Sequence, residues 1–203
     1  ALEAKAGRAL GQVWLDLGAP AEAERVLADA AALARASGIE EEGVAVVVLR
    51  ARASVDGRPG DATAAAVALD RLLPLVAPCP DPEGFGALLL AVRARALAFA
   101  GDRPGAREAL AEARARSASA PLEMRARTLA EACRAAIAAG EGELAAGIAA
   151  QLEVLASAHG LELPLWEARA MRAVIEGRPR PEATALAVGL PEREAGWLIG
   201  RAP

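Results

Sequence analysis

The chain has 203 residues, is 54% hydrophobic and carries a net charge of −4. That is enough apolar material for a buried core in one or two domains. The interleaving of acid and base excludes the basic stripe expected of a nucleic-acid binder. Alanine, leucine, arginine and glutamate dominate, and these are strong helix formers. Aromatics make up only 2%, with no tyrosine, so the composition predicts an all-α fold rather than a sheet. No run of about 18 apolar residues lacks a charge, so no membrane span is expected. No secretory signal is visible, and a cytoplasmic protein is the expectation. The chain starts at Ala1 without Met, which fits a processed or excised segment.

A first helix is predicted over residues 1–17, with Leu10, Val13, Trp14 and Leu17 as its apolar stripe. Gly18 stops it as a left-handed C-terminal cap. Pro20 opens a second helix, where a missing N–H costs nothing. That helix runs to Ser37, with Ala23, Val26, Leu27, Ala30 and Leu33 on one face, and Gly38 ends it. A third helix covers residues 40–55, with acidic side chains at its positive N-terminal end. Asp61 is a fair N-cap for a fourth helix, which Pro74 should kink or end. Residues 74–83 carry four prolines and form the longest irregular stretch, expected to be the most mobile internal connection. Further helices follow over 85–100, from the opening turn Gly101-Asp102-Arg103-Pro104-Gly105 to Ser117, and over 121–139, 143–159 and 164–176. A short helix is read over 182–188, after the turn Arg178-Pro179-Arg180-Pro181. A last amphipathic stretch ends near Ile199.

The punctuation of these elements repeats. Gly18, Gly57, Gly101, Gly140 and Gly177 are spaced by 39, 44, 39 and 37 residues. Two amphipathic helices per interval of that length predict a stack of helix pairs. The residues Leu10, Gly11, Trp14, Gly18, Ala23 and Ala30 resemble the tetratricopeptide repeat. That motif has a Leu-Gly pair, an aromatic, a turn glycine and two small residues in its second helix. Gly101, Ala106, Leu110 and Ala113 match a later unit in part, as do Gly140, Ala145 and Leu152, and Trp166 with Gly177. The family period is about 34 residues, and this chain runs longer. In that it is similar to the looser repeats of bacterial multidomain regulators, where such arrays follow kinase or ATPase domains. The resemblance implies a right-handed superhelix of about five antiparallel helix pairs over residues 1–188, with 189–203 as a capping segment. It also implies a concave face lined by the first helix of each pair. On physical grounds, Gly11 and Ala23 would let paired helices approach closely, and Trp14 would fill the gap between units.

Residues suited to chemistry are scarce. His159 is the only histidine and reads as a residue at a helix C-terminus. Cys79 lies in a proline-rich stretch and Cys133 within a helix, and nothing in the sequence pairs them. With one histidine and no His-Glu motif, a zinc site has almost nothing to build from. Gly84-Phe85-Gly86 lacks both the preceding strand and the following Lys-Ser/Thr of a phosphate loop. No serine lies in a Gly-x-Ser-x-Gly elbow. No cofactor is expected.

The expected function is therefore binding: a scaffold, within a larger regulatory protein, that holds a peptide or a neighbouring domain. The alternatives are a self-assembling spacer and a helical enzyme. Carrying the repeat register forward puts Lys5, Arg8, Gln12 and Asp16 of the first helix in the groove. Val47, Ala51 and Ser54 follow from the third helix, then Arg95, Arg127 and Arg134, and Glu167 and Met171 from the last pair. Of these, Lys5, Arg8, Gln12, Arg95, Arg127, Arg134, Glu167 and Met171 are the candidate protein-binding residues. Such a groove would be mostly basic and would suit an acidic protein segment. The alternative for the arginines is that they are solvated, or pair with Glu123, Glu131 and their neighbours.

Overall fold

A computed structural model describes residues 2–38, 40–57, 62–76 and 84–177. All elements among them are α-helices, with no strand. The predicted short helix over 182–188, the capping segment 189–203, the turn 178–181, Asp61, Cys79 and most of the proline-rich stretch lie outside the described residues.

The chain divides into two compact units, residues 1–80 and 81–203. The N-terminal unit contains α1 (Leu2–Asp16), α2 (Pro20–Ser37), α3 (Glu40–Gly57), α4 (Ala62–Asp70) and a single turn, α5 (Leu73–Val76). Proline forces the last break: α4 stops at Asp70, and Pro74 sits in the first turn of α5, where it needs no N–H partner. Helices α1 and α2 pack as an antiparallel pair. A Cβ on Gly7 would lie 3.0 Å from Ala30 Cβ, and one on Gly11 would lie 2.4 Å from Leu27 Cγ. Gly11 thus permits the close approach expected of it. Helix α3 packs on both α1 and α2, and α4 packs on α3. Val46, Val48, Leu49 and Val55 of α3 are fully enclosed.

Two faces differ from the sequence expectation. Leu10 and Val13, the expected core stripe of α1, are 47% and 51% exposed. The buried side of α1 is instead Ala4, Gly11 and Leu15. In α2, Leu33 is 37% exposed, and Ala34 takes the inward place. Trp14 is only half-buried, although its Nε1 is enclosed without a hydrogen-bond partner.

The C-terminal unit contains α6 (Phe85–Phe99), α7 (Arg103–Ser117), α8 (Leu122–Ala138), α9 (Gly142–His159) and α10 (Glu162–Ile175). Each helix packs on the next, and α8 also packs on α6 and α10. Helix α6 is apolar on all sides, and from Phe85 to Ala98 only Arg93 escapes burial. Gly84 starts it with φ of 76°. A side chain there would be strained and would also lie 2.7 Å from Met124 Cγ. At the start of α7, Asp102 accepts a hydrogen bond from the Gly105 N–H at 3.0 Å, a side-chain N-cap. Gly18 takes the left-handed conformation expected of it, and Gly101, Gly140 and Gly177 end their helices in the same conformation, whereas Gly57 remains helical.

Candidate functional site

The expected site residues fall into two clusters, one in each unit. In the N-terminal unit, the Arg8 Nε donates to Glu42 Oε1 at 2.6 Å, joining α1 to α3. One side of α1 further on, Gln12 Nε2 donates to Asp16 Oδ1 at 2.7 Å, and Arg52 Nη1 reaches the same oxygen at 3.3 Å. The Arg52 Nε also lies 3.7 Å from Asp56 Oδ2. Glu42 and Arg52 are buried, at 5% and 4% exposure. Lys5 is exposed, Arg8 and Gln12 are half-buried, Val47 and Ser54 are half-buried, and Ala51 is buried.

In the C-terminal unit, Arg95, Arg134 and Glu167 meet around a residue outside the candidate set, Glu131. The Arg95 Nη1 lies 3.4 Å from Glu131 Oε2. The Arg134 Nη1 donates to Glu131 Oε1 at 2.7 Å, and its Nη2 donates to Glu167 Oε1 at 3.0 Å. The result is a ladder of two guanidinium groups and two carboxylates that crosses α6, α8 and α10. Arg95, Glu131 and Glu167 are 5%, 1% and 7% exposed. Thr128, one turn before Glu131 on α8, is fully buried and its hydroxyl lacks a hydrogen-bond partner.

This geometry corrects part of the expected groove. Arg95 does not face solvent: its stem lies in the apolar packing of α6, and its head meets Glu131. Met171 is 8% exposed and belongs to the core. Arg134 and Glu167 neutralise one another, and Arg8 is matched by Glu42, so these cations do not add up to a basic surface. Arg127 is half-buried on α8. The pairing of arginines with Glu131, weighed in the sequence as the alternative, is the one observed for Arg95 and Arg134.

The sequence carried a signal for these pairs. Arg8 and Glu42 are separated by 34 residues, Asp16 and Arg52 by 36, and Arg134 and Glu167 by 33. The same interval recurs on other helices. Arg107 of α7 donates to Glu141, and Arg114 to Gln151, at separations of 34 and 37. An arginine and an acid one helix pair apart are thus the pattern to search for.

The chemistry open to these groups is limited by their partners. The buried carboxylates Glu42, Glu131 and Glu167 each accept from an arginine guanidinium. Cys133 is fully buried and donates through Sγ to the Ala145 carbonyl at 3.4 Å. Burial pushes its thiol up from 9.0 to about 12, despite the nearby Arg134, so it is protonated and a poor nucleophile at neutral pH. His159 is the last residue of α9, exposed and followed by left-handed Gly160. Among the described residues, no group of three His, Cys, Asp or Glu side chains is placed to hold a metal. Among the same residues, no helix is long and apolar enough to cross a membrane.

No protein-family model matches the chain, and neither a curated protein nor a solved structure does.

Proposed function

We propose that the chain is a protein–protein interaction scaffold, built within each unit as a stack of helix pairs of the tetratricopeptide kind. The observation that carries this reading is the recurring interval of 33 to 37 residues between polar partners on successive helix pairs. A stack in which each pair packs on its neighbours generates that interval, because equivalent positions one unit apart face each other. The buried pairs fix how successive first helices register. Partner recognition then falls to side chains outside these pairs, exposed Lys5 and half-buried Gln12 in one unit and half-buried Arg127 in the other. The partner is another protein with acidic groups, which each unit meets on its own, through Lys5 in one and Arg127 in the other. It binds without a cofactor and without covalent chemistry, as one part of a larger regulatory protein.

The test is affinity capture with the 203-residue chain, followed by binding measurements on the partner recovered. Arg127→Ala should weaken that complex, and the loss should shrink as salt rises. The helical circular dichroism should not change. Capture of no partner, or a complex indifferent to Arg127 and to Lys5→Ala, would sink the assignment.

A further inference from the structure

The outer face of α1 is apolar without interruption. At about 100° per residue, Leu2, Ala6, Ala9, Leu10 and Val13 fall within one arc of about 100°. All five are exposed, Leu2 at 82% and Val13 at 51%. No charge lies within the arc. Lys5 and Asp16 line one edge, and Glu3 lies at the other. An exposed apolar stripe of this kind marks an interaction surface.

The stripe is self-complementary in one orientation. Place two copies of α1 antiparallel, with a two-fold axis between Ala9 and Leu10. Ala6 then faces Val13 and Ala9 faces Leu10, so small residues oppose large ones at the centre of the seam, while Leu2 meets half-buried Leu17 at each end. In an antiparallel pair, equivalent edges meet. Lys5 of each copy therefore comes beside Asp16 of the other, giving two favourable charge contacts. Asp16 keeps its bonds to Gln12 and Arg52, yet stays at the edge with 20% of its side chain exposed. A parallel arrangement would instead set Val13 on Val13, Leu10 on Leu10 and alanine on alanine. We infer that α1 is a self-association surface, and that a second copy of this chain covers it as an antiparallel helix pair about a two-fold axis. A contact of one helix on one helix is smaller than a standard interface of about 1,600 Å². The dimer is therefore a weak one, with dissociation in the micromolar range or above. This inference stands apart from the scaffold reading and does not need it.

Sedimentation equilibrium of the 203-residue chain from micromolar to millimolar concentration tests it. The wild type should pass from monomer to dimer. Val13→Asp should raise the dissociation constant by at least about tenfold, because an unpaired carboxylate would be buried in the seam. Its helical circular dichroism should be unaltered, since Val13 is half exposed in one copy. Lys5→Glu should weaken the dimer less, and chiefly at low salt. Orientation is read by oxidation in a Cys79→Ala background. Ala9→Cys lies near the axis and should cross-link, whereas Leu2→Cys should not. A monomer throughout the range would overturn the inference, as would a dimer that Val13→Asp leaves intact. Faster cross-linking through Leu2→Cys than through Ala9→Cys would overturn it too.

Discussion

Helices α1 and α6 open their respective units, and they treat apolar residues in opposite ways. Helix α6 encloses Leu88, Leu89, Leu90 and Val92 together, with α7 and α8 packed on it. Helix α1 buries small residues against α2 and turns Leu2, Leu10 and Val13 outward. The polar groups follow the same division. In the C-terminal unit one ladder ties three helices together, while in the N-terminal unit Arg8–Glu42 and the set Gln12, Asp16, Arg52 and Asp56 each join two helices, α1 and α3. Which residues of a helix are core is thus decided by how closely its neighbours approach. Size alone does not decide it.

The largest expected effect probes the ladder. Glu131→Ala removes the carboxylate shared by buried Arg95 and by Arg134, and should cost about 3–5 kcal/mol. Glu42→Ala in the other unit should cost less, about 1–2 kcal/mol, because half-exposed Arg8 can turn to water. Equal shifts in urea midpoint for the two variants would erase the contrast between pairing across three helices and pairing across two.

The next effect probes the close approach of α1. Gly11→Ala drives a methyl into Leu27 and should destabilise by about 1–3 kcal/mol, despite the better helix propensity. Gly147 of α9 is exposed and has no atom within 4 Å of a Cβ. Gly147→Ala should therefore stabilise by about 0.5–1 kcal/mol. Two thermal melts decide the matter, and shifts of the same sign would mean that α1 does not need its glycine.

A smaller effect separates the helix starts. Helix α7 begins with the Asp102 cap, whereas α2 begins at Ala19 with no side-chain cap, although both have proline in the first turn. Asp102→Ala should cost about 1 kcal/mol by chemical denaturation. No change would show that Pro104 alone suffices to start α7.

The last effect vanishes at neutral pH. Cys133 lies within α8, and its folded thiol is raised from 9.0 to about 12. Between those values the unfolded chain has lost the proton that the folded chain keeps. The stabilisation is therefore full below pH 9 and falls as pH rises toward 12. Relative to Cys133→Ala, the wild type should lose stability through that window and none below it. A parallel pH dependence of the two would show that solvent reaches the thiol. Because the comparison is with Cys133→Ala, the difference reports on Cys133 and hence on the C-terminal unit.

Helix positions were legible because their ends are written in backbone chemistry. Gly38 closes α2 after Ser37 as expected, and Asp102-Arg103-Pro104-Gly105 opens α7. The single turn α5 was missed, since Pro74 reads as a stop and only in three dimensions as a start. Faces were harder to read. Leu10 and Val13 look like a core stripe because large side chains dominate any apolar pattern. The competing face, Ala4, Gly7 and Gly11 with Leu15, wins by allowing α2 to come close, and small residues carry little hydrophobic signal. Arg95 shows the same ambiguity for charge, because burial depends on a carboxylate 36 residues away that no local window contains.

That interval also has a kinetic side. Within each unit, the principal packing partners of a helix are the next helix and the one after it. Sequence separations between contacts are therefore short, and the loops that must close before contacts form are small. Chains with such low contact order cross their folding barrier in microseconds to milliseconds. The ladder need not wait for distant parts of the chain to meet: Arg95 and Glu131 can find each other once α6, α7 and α8 have formed.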